Sequence, residues 1–211
     1  MIPDQKQLWN KKHAGGEHEA FGSTPTSFAK LVEPQLTRSS KILELGCGVA
    51  RDAAFFARQG HDVLATDFST AVIKRDKELF TYPGLKFAIL DISEPFDFKG
   101  NNFDVVYSHL SLHYYSKQTT TKIFGEIARV LKRHGIFAFA CKTPNDPDYA
   151  VGKEAEPGIF VSDKGHARHF FTEEYARELL KTDFQINSIT EMKEYYGPRY
   201  SAFIRCIAKK K

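Results

Sequence analysis

Cysteine is scarce in this chain: three residues in 211, at Cys47, Cys141 and Cys206, far apart and in apolar or turn contexts. No pair has metal-ligand spacing, so a disulfide framework and a zinc site are both excluded as organising features, and no metal is expected. An uninterrupted apolar run of membrane-spanning length is also missing. The first residues lack the apolar core and small residues of a secretory leader. A cytoplasmic protein without a membrane partner is expected. Charge of one sign is not in excess, the net value being +4, and basic runs are confined to Lys132, Arg133 and His134 and to Lys209, Lys210 and Lys211. Such runs read as solvated faces, so nucleic acid is an unlikely partner. There is no internal repeat and no low-complexity tract. With 42% hydrophobic and 27% charged residues, the chain fits one globular domain over residues 1–211, of unknown oligomeric state.

What is present is an alternation. Residues 41–45 (KILEL) are apolar enough for a strand buried on both faces, and they run through the glycines Gly46 and Gly48 into a helical pattern at Val49, Ala53, Phe56 and Ala57, stopped by Gly60. Residues 63–66 give a second strand, and Ser69 is placed to cap a helix carrying Val72, Ile73, Leu79 and Phe80. A third strand over 86–90 ends at Asp91 and a fourth covers 103–108. A helix then runs to about Arg133 and stops at Gly135, ahead of a strand over 136–142. Residues 184–195 and 200–208 read as two strands joined through Gly197 and Pro198, a link too short for a crossover, so that pair is antiparallel. The expected fold is α/β: a Rossmann-like, doubly wound, seven-stranded, mostly parallel sheet whose last strand is antiparallel.

At the carboxyl edge of such a sheet, successive strand ends border one crevice. Here those ends carry Glu44, Asp67 and Asp91. A strand turning sharply into a helix needs positive φ, which explains Gly46 and Gly48. A nicotinamide dinucleotide would want a third glycine where Arg51 stands, and a helix N-terminus for its pyrophosphate. S-adenosylmethionine has no phosphate and carries positive charge, which suits three carboxylates better.

These residues resemble the class I S-adenosylmethionine-dependent methyltransferases, over roughly residues 41–142 and more weakly in the terminal strand pair. The run ELGCGVA at 44–50 is similar to the family's first motif, with Ala50 at a position often occupied by glycine. The resemblance implies S-adenosyl-L-methionine as cofactor, bound by Glu44, Gly46, Cys47, Gly48 and Arg51. Asp67 would hold the ribose hydroxyls with Phe68 beside the adenine, and Asp91 and Ile92 would meet the adenine amino group and ring. Ser108, His109 and Leu110 would face the methionine and methyl group. The segments around Trp9, Arg51 and residues 165–172 look most like the small-molecule methyltransferases of the tellurite-resistance and thiopurine type. Trp9 and Phe21 anchor the polar segment 1–21, either pinning it to the domain surface or closing it over a ligand; by the analogy residues 1–40 form a helical cap in which Trp9 covers the cofactor, and residues 143–170 are a substrate insertion.

The resemblance implies direct in-line displacement without a metal or covalent nucleophile. For a hydroxyl or amine acceptor, His113 is the candidate base, with Tyr114 beside it; His113 could equally be a packing residue. Residues 143–168, with Pro144, Pro147, Gly152, Pro157, Gly158 and Gly165, read as one long loop of the functional kind. Its candidate substrate residues are Tyr149, His166, Arg168 and His169, the last three placed to orient an anionic acceptor unless Arg168 pairs with Glu173 or Glu174 on the surface. The partner expected is a small-molecule methyl acceptor. A sensor that binds the cofactor without catalysis, or a methyltransferase of RNA or protein, are the other readings.

Overall fold

The computed structural model describes residue 2, residues 5–14 and residues 24–211. A seven-stranded sheet forms the centre, in the order β3-β2-β1-β4-β5-β10-β9. Its strands are β1 (Lys41–Leu45), β2 (Asp62–Asp67), β3 (Leu85–Ile89), β4 (Phe103–His109), β5 (Leu131–Lys142), β9 (Phe184–Tyr196) and β10 (Arg199–Lys210). β1 to β5 pair in parallel, while β10 runs antiparallel to both β5 and β9. The expected sheet, with its antiparallel last strand, is therefore the observed one.

Alternation along each strand feeds two cores, one on each face of the sheet. Leu43, Leu45, Phe137, Phe139 and Cys141 point to one, where α5 (Lys117–Val130) adds Ile123 and Ile127 and α6 (Glu173–Leu180) adds Ala176 and Leu180. Ile42, Val105, Tyr107, Ala138 and Ala140 point to the other, which receives Phe28 from α2 (Ser27–Val32), Phe56 from α3 (Arg51–Arg58), and Val72 and Ile73 from α4 (Thr70–Leu79). The cap expected at Ser69 forms, its hydroxyl accepting from Val72 N–H, and the Thr172 hydroxyl accepts from Tyr175 N–H at the acidic start of α6. Leu79, one of the apolar residues that marked α4, is exposed.

Two expectations fail locally. The helix does not run to Arg133: α5 ends at Val130, because Leu131 turns to extended backbone (φ −70°, ψ 139°) and is buried opposite Phe103 of β4. The stretch read as one loop contains a small antiparallel sheet, β6 (Lys153–Glu156), β7 (Ile159–Val161) and β8 (Ala167–His169). Its backbone groups are satisfied by pairing, as those of a long structureless loop could not be. The helix α1 (Gln5–Ala14) lies N-terminal to all of these, and Phe21 lies outside the described residues. No described helix is long and apolar enough to cross a membrane.

Candidate active site

β1 and β4 are neighbours although four elements separate them in sequence, so the chain order reverses there and leaves a crevice beyond their carboxyl ends. The turn from β1 to α3 occupies it. Gly46 and Gly48 have φ of +70° and +55°, and Ala50, at the position often held by glycine, also adopts a left-handed φ of +51°. At Gly46 a side chain is doubly forbidden, since a Cβ would come within 2.4 Å of Ser111 Cβ. The turn is fastened from three sides. Gly48 N–H donates to Asp67 Oδ2 (3.2 Å), Arg75 Nη2 donates to the Gly48 carbonyl (3.1 Å), and the Ser111 hydroxyl donates to the Leu45 carbonyl (2.7 Å).

Above this turn lies a cavity of about 760 Å³. One end is walled by Glu44, Gly46, Asp67, Phe68, Leu90 and Ile92, and Cys47, Gly48, Arg51, His109 and Leu110 also face it. Most of the residues expected to bind the cofactor thus converge on one space. Ser108 does not reach it; its side chain is buried and its hydroxyl lies 2.5 Å from that of Ser111, which does. Asp91 is not among the residues lining the cavity, although Lys6 of α1, which is, forms an ion pair with it, and the Ser93 hydroxyl (2.6 Å) and N–H (3.0 Å) donate to it. Burial pushes its carboxyl up, but these donors outweigh burial and leave it below the usual range.

The electrostatics favour a cationic guest. Glu44 is buried, its Oε2 lacks a hydrogen-bond partner among the described residues, and its carboxyl is held well above the usual range, first by burial and then by the charges of Asp52 and Asp76. Asp52 is held in place by Thr26 N–H (2.7 Å), the Thr26 hydroxyl (2.8 Å) and the Tyr107 hydroxyl (2.7 Å). Asp76 is pushed up to about 6, burial outweighing the guanidinium of Arg75. Cys47 faces the cavity as an inert thiol, its pKa raised by burial and by the neighbouring Asp67 and Glu44. Cys141 and Cys206 are buried in the sheet.

The other end of the cavity is built by residues distant in sequence, Trp9, Tyr114, Thr119, Glu156 and Arg168, while Tyr115 also lines the cavity close to Asp67 and Asp91. Trp9 packs edge-on against Tyr114 (4.9 Å between ring centroids) and His166 (5.6 Å). The Gln5 side chain bridges to β8 and the turn before it, donating to the Gly165 carbonyl and accepting from Ala167 N–H, both at 3.0 Å. Of the pair after β4, Tyr114 lines the cavity, its phenol raised to about 12 by burial. His113 does not line it. Its ring is fully buried behind Tyr114, both nitrogens lack partners among the described residues, and burial with Lys142 and Arg168 nearby holds it neutral. In the short 3-10 turn Leu112–Tyr114, Leu112 and His113 go to the interior and only Tyr114 to the cavity.

The candidate substrate residues separate in the same way. Arg168 reaches the cavity and pairs with Asp148 (3.0 Å) rather than with Glu173 or Glu174. His169 points away from it and is buried against Phe171 and Tyr175. Tyr149 packs on Phe160 and Phe170, and His166 packs on Trp9; neither is among the residues lining the cavity. Tyr115, Ser116, Thr119 and Glu156 were not legible as site residues, because no motif or period marks them.

Residues 43–139, just under half of the chain, match the model of a methyltransferase domain. Phosphoethanolamine N-methyltransferase 1 of Triticum aestivum is 32% identical over 97 residues, which are 44% of this chain and 20% of that protein. EEF1A lysine methyltransferase 4 of Mus musculus is 32% identical over 108 residues, 48% of this chain and 42% of that protein. This chain therefore aligns with less than half the length of either. Among solved structures, the 1,6-didemethyltoxoflavin-N1-methyltransferase of Burkholderia thailandensis, with bound 1,6-didemethyltoxoflavin and S-adenosylhomocysteine, superposes with a TM-score of 0.78. The match covers 98% of this chain and 87% of that one at 18% identity, a likeness of fold. Residues 43–139 thus match a methyltransferase domain, and the chain has the Rossmann-like fold of a solved methyltransferase structure.

Proposed function

We propose that this chain, whose central stretch is a methyltransferase domain, is an enzyme that transfers the methyl group of S-adenosylmethionine directly onto a small-molecule acceptor. The observation that carries the reading is one continuous cavity with two chemically different ends. The turn end, with its acids and the apolar faces of Phe68, Leu90 and Ile92, suits a cationic nucleoside. The unpartnered Oε2 of Glu44 supports the fit, since an ammonium group satisfies both its charge and its missing hydrogen bond.

Bound there, S-adenosylmethionine supplies an electrophilic sulfonium methyl. The chain's own residues do the rest. Asp67, held by two backbone N–H groups, fixes the ribose end. His109 and Leu110 wall the middle of the cavity, where the imidazole of His109 stays neutral because burial lowers its pKa to about 4. Trp9 and Tyr114 close the far end, align the acceptor and exclude water. The phenol of Tyr114, protonated at neutral pH, donates a hydrogen bond to the acceptor instead of taking its proton. His113 is a packing residue in this scheme. A small acceptor is supported by the enclosure of the far end by α1 and the β6 to β8 sheet. The structurally similar Burkholderia enzyme holds a small molecule beside S-adenosylhomocysteine.

Titration calorimetry tests the reading. S-adenosylmethionine or S-adenosylhomocysteine is expected to bind, and Asp67→Ala to weaken binding by about 30-fold or more, the loss of a charge-assisted pair of contacts. Tight binding of a nicotinamide dinucleotide in their place overturns it.

A further inference from the structure

Arg168 is presented to the cavity by β8, where alternation sends Ala167 and His169 into the interior and the guanidinium the other way. Its Nη1 is taken by Asp148, a carboxylate shared with Lys142 at 3.3 Å. Its Nε is buried and has no hydrogen-bond partner among the described residues. A buried N–H without a partner costs free energy in the free protein and marks a place where an acceptor atom belongs. The Nε side of a guanidinium is a planar fork that matches two oxygens of a carboxylate or a phosphate. Glu156, which also lines the cavity, accepts from Lys117 N–H (3.2 Å) at the start of α5 and repels an anion. Lys6, a further cation of the lining, is paired with Asp91, whereas Arg168 keeps a donor to offer an acidic group.

Resting on the methyl-transfer reading above, we infer that the methyl acceptor carries an acidic group, a carboxylate or a phosphate, docked on Arg168. Arg168 is then the residue that selects the acceptor, and Trp9 and Tyr114 hold the remainder of the molecule.

The test uses the full-length protein and methyl-labelled S-adenosylmethionine, incubated with a small-molecule cell extract and resolved by anion exchange at about pH 8, where carboxylates and phosphates are ionised. The expected labelled product is retained on the column. Alkaline phosphatase releases it if the group is a phosphate and leaves it retained if it is a carboxylate, and both outcomes support the inference. Arg168→Gln is expected to lower kcat/KM for that acceptor by about 30-fold or more, with S-adenosylhomocysteine affinity unchanged within about twofold. Arg168→Lys, which keeps the charge and loses the fork, recovers part of the loss. An unretained labelled product, or Arg168→Gln acting like the unmodified protein, overturns the inference and leaves methyl transfer standing. Cofactor binding with no transfer to any fraction overturns both.

Discussion

At the scale of single residues, Glu44 holds the clearest tension. Its carboxyl lies in a buried acidic neighbourhood and keeps its proton well above the usual range, burial being the first cause. A group whose folded pKa exceeds its unfolded one contributes stability that is full below about pH 4, the ordinary carboxylate value, and is lost as pH rises through the raised value. A cation arriving beside Glu44 favours its ionised form, so binding of S-adenosylmethionine releases a proton and tightens as pH rises through that window. Calorimetry in two buffers of different ionisation heat should report net proton release; its absence would reject this role. Glu44→Gln should melt later than the unmodified protein under alkaline conditions and bind S-adenosylmethionine about tenfold more weakly or worse. Residues such as Gly46 and Asp67 were legible in the sequence because backbone conformation and position at a strand end leave few alternatives. His113 was not, since one 3-10 turn sends adjacent side chains to the interior and to the cavity.

At the scale of elements, α1 illustrates what sequence patterning misses. It has no apolar stripe, and only Trp9 hinted at its place. Yet Lys6 joins it to Asp91 at one side of the cavity, while Gln5 and Trp9 join it to β8 and Tyr114 at the other. The three strands of the small sheet were invisible for a similar reason: four residues or fewer, interrupted by Gly and Pro, show no period. The contact of Lys6 with Asp91 leads to a competition, because Asp91 is the acid proposed to receive the adenine amino group. The pair is partly exposed, so it is worth at most about 1 kcal/mol. Lys6→Ala is accordingly expected to tighten S-adenosylmethionine binding by up to about fivefold and to flatten its salt dependence. Weaker binding in that variant would show that Lys6 assists the cofactor instead of competing with it.

At the scale of the whole molecule, the sheet with a core on each face was legible from alternating apolar segments, whereas the strand order was not: pairing between distant strands leaves no local trace. Because the cavity joins the ends of several strands, a ligand filling it should stabilise the domain as a unit. S-adenosylhomocysteine at a hundred times its Kd is worth about 2.7 kcal/mol. For a chain of 211 residues this predicts a rise in Tm of about 5–10 °C, read by calorimetry, and no rise with a nicotinamide dinucleotide.

The position of β10 reaches beyond the mature protein. It is the last strand of the sheet in sequence and yet an interior one, with Ile204 seated between Cys141 of β5 and Glu191 of β9. Until residues 199–210 have left a ribosome's exit tunnel, β5 is paired on one side only, with β4, and its other edge is open. A nascent chain stalled at that point is a natural client for a chaperone, and the arrival of β10 is the moment at which the sheet can close.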